Sequence, residues 1–534
     1  MRLMTLLLSL AIICFTHSFS KAAPMLSAGA QRAYPQHVLK GSVDISRGHS
    51  RFVDDITLWH PGGPTATFHF SLAPHLKFRS VRWRDTDLEC QRQGNKIVVP
   101  LPYNSGPSAM KISVRYEGPC ELLGETAVLG QGRSFLPIIE GDQGSLSIRL
   151  KVSQGAEVVA SVAPITRAQG ADGSLLCRFP TMDRQTKMTI VMGNFTVDSI
   201  YSAGARIEVV AHDAALAQRA AGLVGRIVQG LAFTVPKDKS KNSFTCLLLP
   251  EKSLATLSGK GLAVIQSKDE YLTPTTEEIC RGAARLVWSS LDWTEDEPSQ
   301  ILLSGLVDYS ATALLARRSS SPRFTRKLEH VIKTVRTTRP VPKWRRWRGK
   351  SVPQSERGFG FCYMLRGMVG NEGFSTLLRT FVKAAFKKGY ASSDLLLEVL
   401  QKELPKPPKW LFSSYLASGF LPDFLVQEVA IAEQQRPVEL LYDTYGKPSD
   451  TGRYISDIRV VQNGELRYAG KVGLRIQTDI EKLDTTIDVE GRVAQVQVIT
   501  SRPPRKIIVD PNGKLIEANV KNNTLDVKVK RGRF

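Results

Sequence analysis

The chain has 534 residues, of which 42% are hydrophobic and 23% are charged. This composition is typical of globular proteins and excludes collagen-like and intrinsically disordered classes, and the length allows about three or four domains. Lysine and arginine number 72 against 50 acidic residues, so the formal net charge is +22. Such an excess attracts anions, including phosphate, acidic glycan, anionic lipid and nucleic acid. Only the N-terminal segment is apolar enough to be considered as a membrane span, which excludes a multi-span membrane protein.

The first 22 residues predict an export signal. Residues 1–2 give a positive start, residues 3–15 are almost uninterruptedly apolar, and residues 16–22 are polar and then small. This order is that of a secretory signal peptide, and an apolar run of about 13 residues is shorter than the roughly 20 that span a bilayer. We place cleavage after Ala22 and expect an exported chain, periplasmic or secreted, without a transmembrane span. An uncleaved anchor is the alternative.

Cysteine usage leaves the redox state open. The chain has seven cysteines, one of which, Cys14, falls in the predicted signal. The remaining six allow about 15 pairings, which the sequence does not resolve. Cys90 and Cys120 lie in one strand-rich region and are the pair we favour, with buried free thiols as the alternative. No CxxC motif occurs, which argues against a thiol redox enzyme.

Three regions follow the signal, and together they predict an α+β multidomain fold. Residues 23–205 predict an N-terminal antiparallel β domain, from alternating runs at 66–70, 96–99, 111–116 and 147–152. Residues 206–425 predict a mostly helical domain, with helices at 214–231, 277–288, 298–315, 358–368, 373–387 and 392–404 and a strand at 243–249. Residues 426–534 predict a β-sandwich-like domain, with a hairpin at Asn463-Gly464 and a turn at residues 510–513.

The helix predicted at 277–288 begins with Thr275 and Glu278, which have the spacing of a capping box. A second helix, through residues 303–309 (LSGLVDY), follows an acidic loop. This order resembles the gluzincin metallopeptidases of the membrane alanyl aminopeptidase type. In that family an HExxH helix is followed, after eighteen intervening residues, by a helix with a Glu as third zinc ligand. Eighteen residues separate Arg285 from Ser304, so the resemblance puts the HExxH slot at residues 281–285.

The resemblance covers about residues 206–534 and continues through 355–374, 410–424 and 509–523. It implies a central thermolysin-like or aminopeptidase-like domain that would hold zinc. The site positions that it indicates are Arg281 and Arg285 for the two histidines, Gly282 for the general base, Ser304 for the third ligand and Ser355 for the tyrosine that stabilises the oxyanion.

These residues do not provide the family's chemistry. Zinc binds imidazole, thiolate or carboxylate, whereas Arg281 and Arg285 are permanent cations without a lone pair to donate. Gly282 cannot act as a general base. No histidine lies between His212 and His330. We therefore expect no catalytic residue, no metal site and no cofactor, although zinc is expected in the family.

A basic arm spans residues 317–350, with thirteen bases against one acid. Tryptophan suits a membrane interface, and arginine binds phosphate or carboxylate bidentately. We expect the arm to bind anionic lipid or glycan, with a solvated loop as the alternative, and we expect no nucleic-acid partner for an exported protein. The candidate contacts are Lys343, Trp344, Arg345, Arg346, Trp347 and Arg348.

Three functions are compatible with these observations. The first is an exported aminopeptidase-like protein that has lost zinc and peptidase activity and serves as a binding or scaffold protein for a peptide or an anionic envelope partner. In its cleft, Arg281 and Arg285 would pair with acids such as Asp308 or Glu278, or bind a ligand carboxylate or phosphate. The second is an active zinc-dependent metallo-aminopeptidase with an unrecognised site. The third is an envelope adhesin that works through the basic arm.

Overall fold

The computed structural model describes residues 35–527 with internal gaps. The gaps are 64–65, 124–125, 131–134, 140–143, 163–165, 184–187, 236–242, 250–260, 267–273, 317–321, 338–352, 434–453, 464–465 and 467. The predicted signal and the candidate contacts at 343–348 lie outside the described residues. Two compact units are distinguished. The first comprises the described residues within Met1–Cys120, Gly132–Gln154 and Pro164–Thr186, and the second comprises the others.

The chain is rich in strands up to residue 211. In chain order they are β1 (Gln36–Asp44), β2 (His49–His60), β3 (Thr67–Ser71), β4 (Lys77–Trp83), β5 (Thr86–Asp87), β6 (Gln91–Gln93), β7 (Lys96–Pro100), β8 (Ser108–Pro119), β9 (Glu121–Leu123), β10 (Thr126–Leu129), β11 (Ser145–Val152), β12 (Glu157–Ala160), β13 (Thr166–Gln169), β14 (Leu175–Arg178), β15 (Met182–Asp183), β16 (Ile190–Gly193), β17 (Thr196–Ser202) and β18 (Ala205–Ala211).

The first unit contains a nine-stranded sheet with the order β13-β14-β11-β1-β2-β8-β4-β5, in which β15 also pairs with β11. A three-stranded sheet has the order β3-β7-β6. Side chains alternate between the two faces of each strand. In β8, for example, Ile112 and Val114 are buried whereas Lys111 and Arg115 are exposed. The N-terminal domain was predicted to be antiparallel, and one pairing of this sheet departs from that prediction, because β1 pairs with β11 in parallel.

The second unit begins with a sheet of order β12-β16-β10-β9 and a sheet that combines β17 and β18 with two later strands. The later strands are β19 (Ser243–Leu249) and β20 (Leu262–Gln266), and the order is β17-β18-β19-β20. The boundary drawn at residue 205 from the sequence lies at the start of β18, inside the hairpin that β17 and β18 form. β20 was not predicted as a strand.

Six described helices follow β18, with β19 and β20 between the first two. They are α1 (Ala214–Gly230), α2 (Thr276–Trp288), α3 (Glu297–Ala316), α4 (Arg323–Thr337), α5 (Gln354–Lys388) and α6 (Ser393–Glu403), and a short 3₁₀ turn (Ala232–Thr234) and a π-helical segment (Leu411–Leu416) accompany them. None of these helices is both long and apolar enough to cross a bilayer.

Two predictions on the helical domain have different outcomes. The two helices expected at 358–368 and 373–387 are confirmed within α5, which is interrupted at Gly370, where φ is 77° and ψ is 175° and the backbone is not helical. Part of the basic arm is helix α4 and not a solvated loop, because Val331 and Val335 on one of its faces are buried. An amphipathic segment gains helical stability by burying such a stripe.

The C-terminal part of the second unit has two sheets. Its strands are β21 (Phe424–Glu433), β22 (Tyr454–Gln462), β23 (Gly470–Gln477), β24 (Lys482–Val489), β25 (Val493–Thr500), β26 (Lys506–Val509) and β27 (Thr524–Asp526). The sheet orders are β21-β22-β25 and β24-β23-β26-β27. Ile458 and Val460 of one sheet and Leu474 and Ile507 of the other belong to one buried cluster.

The hairpin predicted at Asn463-Gly464 is wrong. β22 lies between β21 and β25, so both of its edges are paired and the following strand, β23, joins the other sheet. Asn463 itself donates its backbone N–H to Asp423 O at 2.8 Å, and Gly464 lies outside the described residues. The predicted turn at 510–513 is confirmed, because Gly513 N donates to Asp510 O at 3.0 Å.

The disulfide that we favoured is also absent. Cys90 and Cys120 are free thiols, as are the other four described cysteines. Cys90 donates from Sγ to Leu88 O at 3.4 Å, whereas the backbone N–H of Cys120 donates to Gly48 O at 3.0 Å. Cys90 is thus bound within a local turn, whereas Cys120 is tied to a residue far away in the sequence.

Candidate functional site

Helix α2 carries the positions that the resemblance indicates. It begins with a capping box, in which Glu278 N donates to Thr275 Oγ1 at 3.3 Å and Thr275 N donates to Glu278 Oε2 at 2.7 Å. Its apolar stripe ends at Trp288, which is fully buried and donates from Nε1 to Ser310 Oγ of α3 at 3.0 Å. The cap and the stripe together fix the start of α2 and the face that it turns to α3.

An ion pair joins α2 to α3. Arg281 Nε lies 2.8 Å from Asp308 Oδ1, and Arg281 Nη2 lies 3.2 Å from Glu277 Oε1 one turn earlier on α2. The Asp308 side chain is only 5% exposed, whereas Arg281 is 30% exposed. A carboxylate buried to this degree requires a cationic partner, and Arg281 supplies it.

Lys327 of α4 extends this arrangement. Its Nζ lies 3.6 Å from Asp308 Oδ2 and 3.8 Å from Glu356 Oε1 at the start of α5. Glu356 also accepts a 2.7 Å hydrogen bond from the hydroxyl of Ser355. Four helices therefore contribute to one network, which we call the charge cluster: Glu277, Arg281, Asp308, Lys327 and Glu356.

The charge cluster lies beside an unusually close helix crossing. Gly305 of α3 and Gly358 of α5 are both buried, and a Cβ built on Gly358 would lie 2.6 Å from Gly305 Cα. Only glycine permits two helix backbones to approach so closely. One turn beyond the crossing, Tyr309 accepts a 2.7 Å hydrogen bond from Arg366 Nη1, and burial raises the pKa of its hydroxyl to about 12.

Arg285 differs from Arg281 in making no ion pair with any described residue. Its side chain is half-buried, and within the described part of the chain its guanidinium makes no ion pair or hydrogen bond. Burial lowers the pKa of Arg285 below its ordinary value, the Asp308 carboxylate acts in the opposite direction and Arg281 adds to the lowering. The charges of both Arg281 and Asp308 therefore act on the pKa of Arg285.

Helix periodicity places Arg281 and Arg285 of α2 on the face that is turned toward Ser304 of α3. Arg281 and Arg285 are four residues apart and share one face of α2, and Ser304 and Asp308 share one face of α3 in the same way. Because Arg281 contacts Asp308, these two faces are turned toward each other. No hydrogen bond between described residues joins Ser304 to either arginine.

The position indicated for the general base has no room for a side chain. A Cβ built on Gly282 would overlap Cγ1 of Ile265 in β20 and lie 2.5 Å from Cδ1 of the same residue. Ile265 is 3% exposed and belongs to the buried core. The space that a carboxylate would need at this position is therefore filled by an apolar side chain.

The donor set does not fit zinc. Arg281 and Arg285 offer no lone pair, Arg281 is committed to Asp308, and Ser304 is a neutral hydroxyl. Ser355, the residue at the oxyanion position, bonds to its neighbour Glu356. Across the described ranges, no three His, Cys, Asp or Glu side chains are grouped so that they could hold a metal ion.

The sequence pattern missed three members of the charge cluster, the first being Glu277, which was not singled out as a partner of Arg281. Lys327 was counted among the bases of the arm, and Glu356 was not singled out. The amphipathic pattern of residues 323–337 is the signal that predicts a helix there. In that helix Lys327 lies on the side that faces Asp308 of α3. The remaining arm candidates, residues 343–348, are outside the described residues.

The fold defines a mixed α+β protein with several β-sheets and six described helices. Among solved structures, it is similar to a mutant form of the M1 zinc metallopeptidase from Deinococcus radiodurans. The TM-score is 0.47 and the identity 17%, over 70% of this chain and 91% of that chain. No protein-family model matches the sequence, and no curated protein matches it.

Proposed function

We propose that this chain is an exported aminopeptidase-like protein that has lost zinc and peptidase activity and that acts as a binding or scaffold protein for a peptide or an anionic envelope partner. The observation that carries the proposal is the 2.8 Å ion pair between Arg281 and Asp308. At the position where the resemblance expects a zinc ligand, the chain has a cation, and that cation neutralises a buried carboxylate. The pair holds two helices together without a metal.

Arg285 is the group that would bind the ligand. Its half-buried guanidinium, which makes no ion pair with a described residue, has lost hydration and gains from an anion that can accept two parallel hydrogen bonds. Carboxylate and phosphate both have this geometry. Arg281 would take little part in binding, because its guanidinium already contacts Asp308 and Glu277.

Zinc content and peptidase activity test the loss of catalysis. We expect elemental analysis of the purified chain to find far less than one zinc per chain. We also expect aminoacyl reporter peptides to remain intact, with or without added zinc. Stoichiometric zinc, or hydrolysis that a chelator abolishes, would establish the active metallo-aminopeptidase instead.

Anion binding tests the role of Arg285. Inorganic phosphate and a short peptide with a free carboxylate should bind the wild type in calorimetric titrations, and Arg285→Gln should abolish the binding. Arg226→Gln is the matched control, because Arg226 is an exposed base on α1 that is outside the charge cluster. Equal affinity of Arg285→Gln and wild type would leave Arg285 with a structural role only.

A further inference from the structure

A line of basic residues crosses the exposed face of the nine-stranded sheet in the first unit. In the strand register, Arg178 of β14 is opposite Arg149 of β11, and Arg149 is opposite Lys40 of β1. Lys40 is opposite Val53 of β2, which is opposite Arg115 of β8. The four bases are all exposed. We call them the basic row: Arg178, Arg149, Lys40 and Arg115.

Three of the four bases in the row make no ion pair within the described part of the chain. Lys40 pairs with Asp55 at 2.9 Å. Arg115, Arg149 and Arg178 make no ion pair or hydrogen bond with any described residue. The neighbouring positions along the strands are different, because Lys151 lies 2.6 Å from Asp172 and Arg51 lies 3.7 Å from Glu117. The bases that make no ion pair with a described residue thus follow one line across the sheet.

The basic row does not stabilise the sheet on which it lies. Like charges directly opposite each other on adjacent strands destabilise a sheet, and here three bases stand on three adjacent strands. Neighbouring strands lie about 4.8 Å apart, so the row extends over roughly 19 Å across the strands. An arrangement that costs stability and is turned to solvent indicates a binding surface.

We propose that the basic row binds a linear acidic polysaccharide whose chain lies across the strands. Sulfate and carboxylate groups spaced along one chain match a line of guanidinium and ammonium groups. This goes beyond the proposed function, since the row belongs to the first unit and the charge cluster to the second.

The surroundings of the row favour a narrow polyanion over a membrane. Asp55 is two residues from Val53 along β2, and Glu117 is two residues from Arg115 along β8. At about 3.3 Å per residue, an acid therefore stands roughly 7 Å from the line on each side. Both acids are ion-paired, Asp55 with Lys40 at 2.9 Å and Glu117 with Arg51 at 3.7 Å. The bases that make no ion pair with a described residue therefore lie in a strip about one sugar wide, which matches a single polyanion chain better than a flat anionic bilayer.

The same surroundings disfavour single-stranded nucleic acid. Such strands are held by stacking their bases on aromatic rings as well as by charge. On β14, β11, β1, β2 and β8, neither the residues of the row nor the described strand residues two positions to either side of them are aromatic. The row offers charge without a stacking platform.

The test compares binding of the full chain to immobilised heparin between wild type and the double variant Arg149→Gln with Arg178→Gln. The matched control, Arg219→Gln with Arg226→Gln, removes the same charge from exposed positions on α1. Each base at a dense anionic surface contributes about fivefold, so the row variant should bind roughly 30-fold more weakly at low salt. The control should stay near wild type, and wild-type binding should fall steeply with salt.

The row variant is expected to fold, because it removes repulsion between opposite strands. Arg115→Gln is a milder second variant that should weaken heparin binding about fivefold. Equal losses in the row variant and the control would show that net charge alone attracts heparin, and absence of binding at low salt would also overturn the proposal. A loss confined to duplex DNA or to phosphatidylglycerol vesicles, with heparin unaffected, would assign the row to that other partner.

Discussion

Gly305 and Gly358 are in backbone contact where α3 crosses α5. A Cβ on Gly305 would overlap the carbonyl carbon of Gly358, and a Cβ on Gly358 would overlap Ile301 O. The crossing brings the start of α5, with Ser355 and Glu356, close to α3, which carries Asp308. The charge cluster thus depends on two residues that carry no charge.

Gly305→Ala should destabilise the protein by about 2 kcal/mol or more, because the new methyl group meets backbone that cannot move without separating the helices. Gly222→Ala is the control. Gly222 is also helical, but its nearest neighbour, Arg226 Nη1, is 3.9 Å from a built Cβ, so the better helix propensity of alanine should stabilise by about 0.5–1 kcal/mol. Urea unfolding measures both changes. Similar values for the two variants would contradict the close crossing.

The Arg281–Asp308 pair should show strong coupling in a double-mutant cycle. Arg281→Met leaves Asp308 buried with only the longer contact to Lys327, and we expect a loss of about 1–3 kcal/mol. Asp308→Asn leaves a desolvated cation and should cost a similar amount. The double variant should lose about 1–2 kcal/mol less than the sum of the two single losses. If the losses are additive to within about 0.5 kcal/mol, the pair does not stabilise the fold.

Local features of the fold could be predicted because the chemistry lies within a few residues. The capping box of α2 is a contact between Thr275 and Glu278, and the turn at 510–513 closes on itself. The strand at Ser243–Leu249 and the helix Ala214–Gly230 were likewise predictable from apolar periodicity. In each case no distant partner was needed.

Features that depend on distant partners could not be predicted in the same way. Asn463-Gly464 has hairpin chemistry, but β22 has β21 and β25 as neighbours, and this pairing is set by packing of the whole sheet. Lys327 and Glu356 join Asp308 only because three helices converge. The basic row is invisible in the sequence, since its four members are spread from residue 40 to residue 178 and only the strand register aligns them.

Gly282→Ala should destabilise the protein by about 1–3 kcal/mol, although alanine is the better helix former, because the added methyl group overlaps Ile265. In an Ile265→Ala background the obstructing atoms are gone. There, Gly282→Ala should be neutral or stabilising by up to about 1 kcal/mol. This change of sign, measured by thermal unfolding of the four proteins, would show that Ile265 fills the position. The same sign in both backgrounds would mean that β20 does not restrict residue 282.

Glu517 makes stability depend on pH. Its side chain is 1% exposed and accepts hydrogen bonds from Asn523 Nδ2 at 2.6 Å and from Phe424 N at 3.2 Å. Burial raises the pKa of Glu517 to about 8, the neighbouring Asp510 and Asp423 add to the rise, and the two hydrogen bonds oppose it. Arg336 of α4 also faces this residue, donating from Nε to Glu517 O at 2.7 Å.

The sign of the pH dependence follows from this raised pKa. Between the ordinary glutamate pKa of about 4.5 and the folded value of about 8, the folded chain keeps a proton that the unfolded chain releases. Stability should therefore be greatest on the acidic side of this window and fall by roughly 3–5 kcal/mol as the pH rises through it. Urea unfolding at intervals from pH 5 to pH 9 should show the fall in wild type and in the exposed control Glu372→Gln. The fall should be largely absent in Glu517→Gln, and a wild-type curve that rises with pH would contradict the burial of the Glu517 carboxyl.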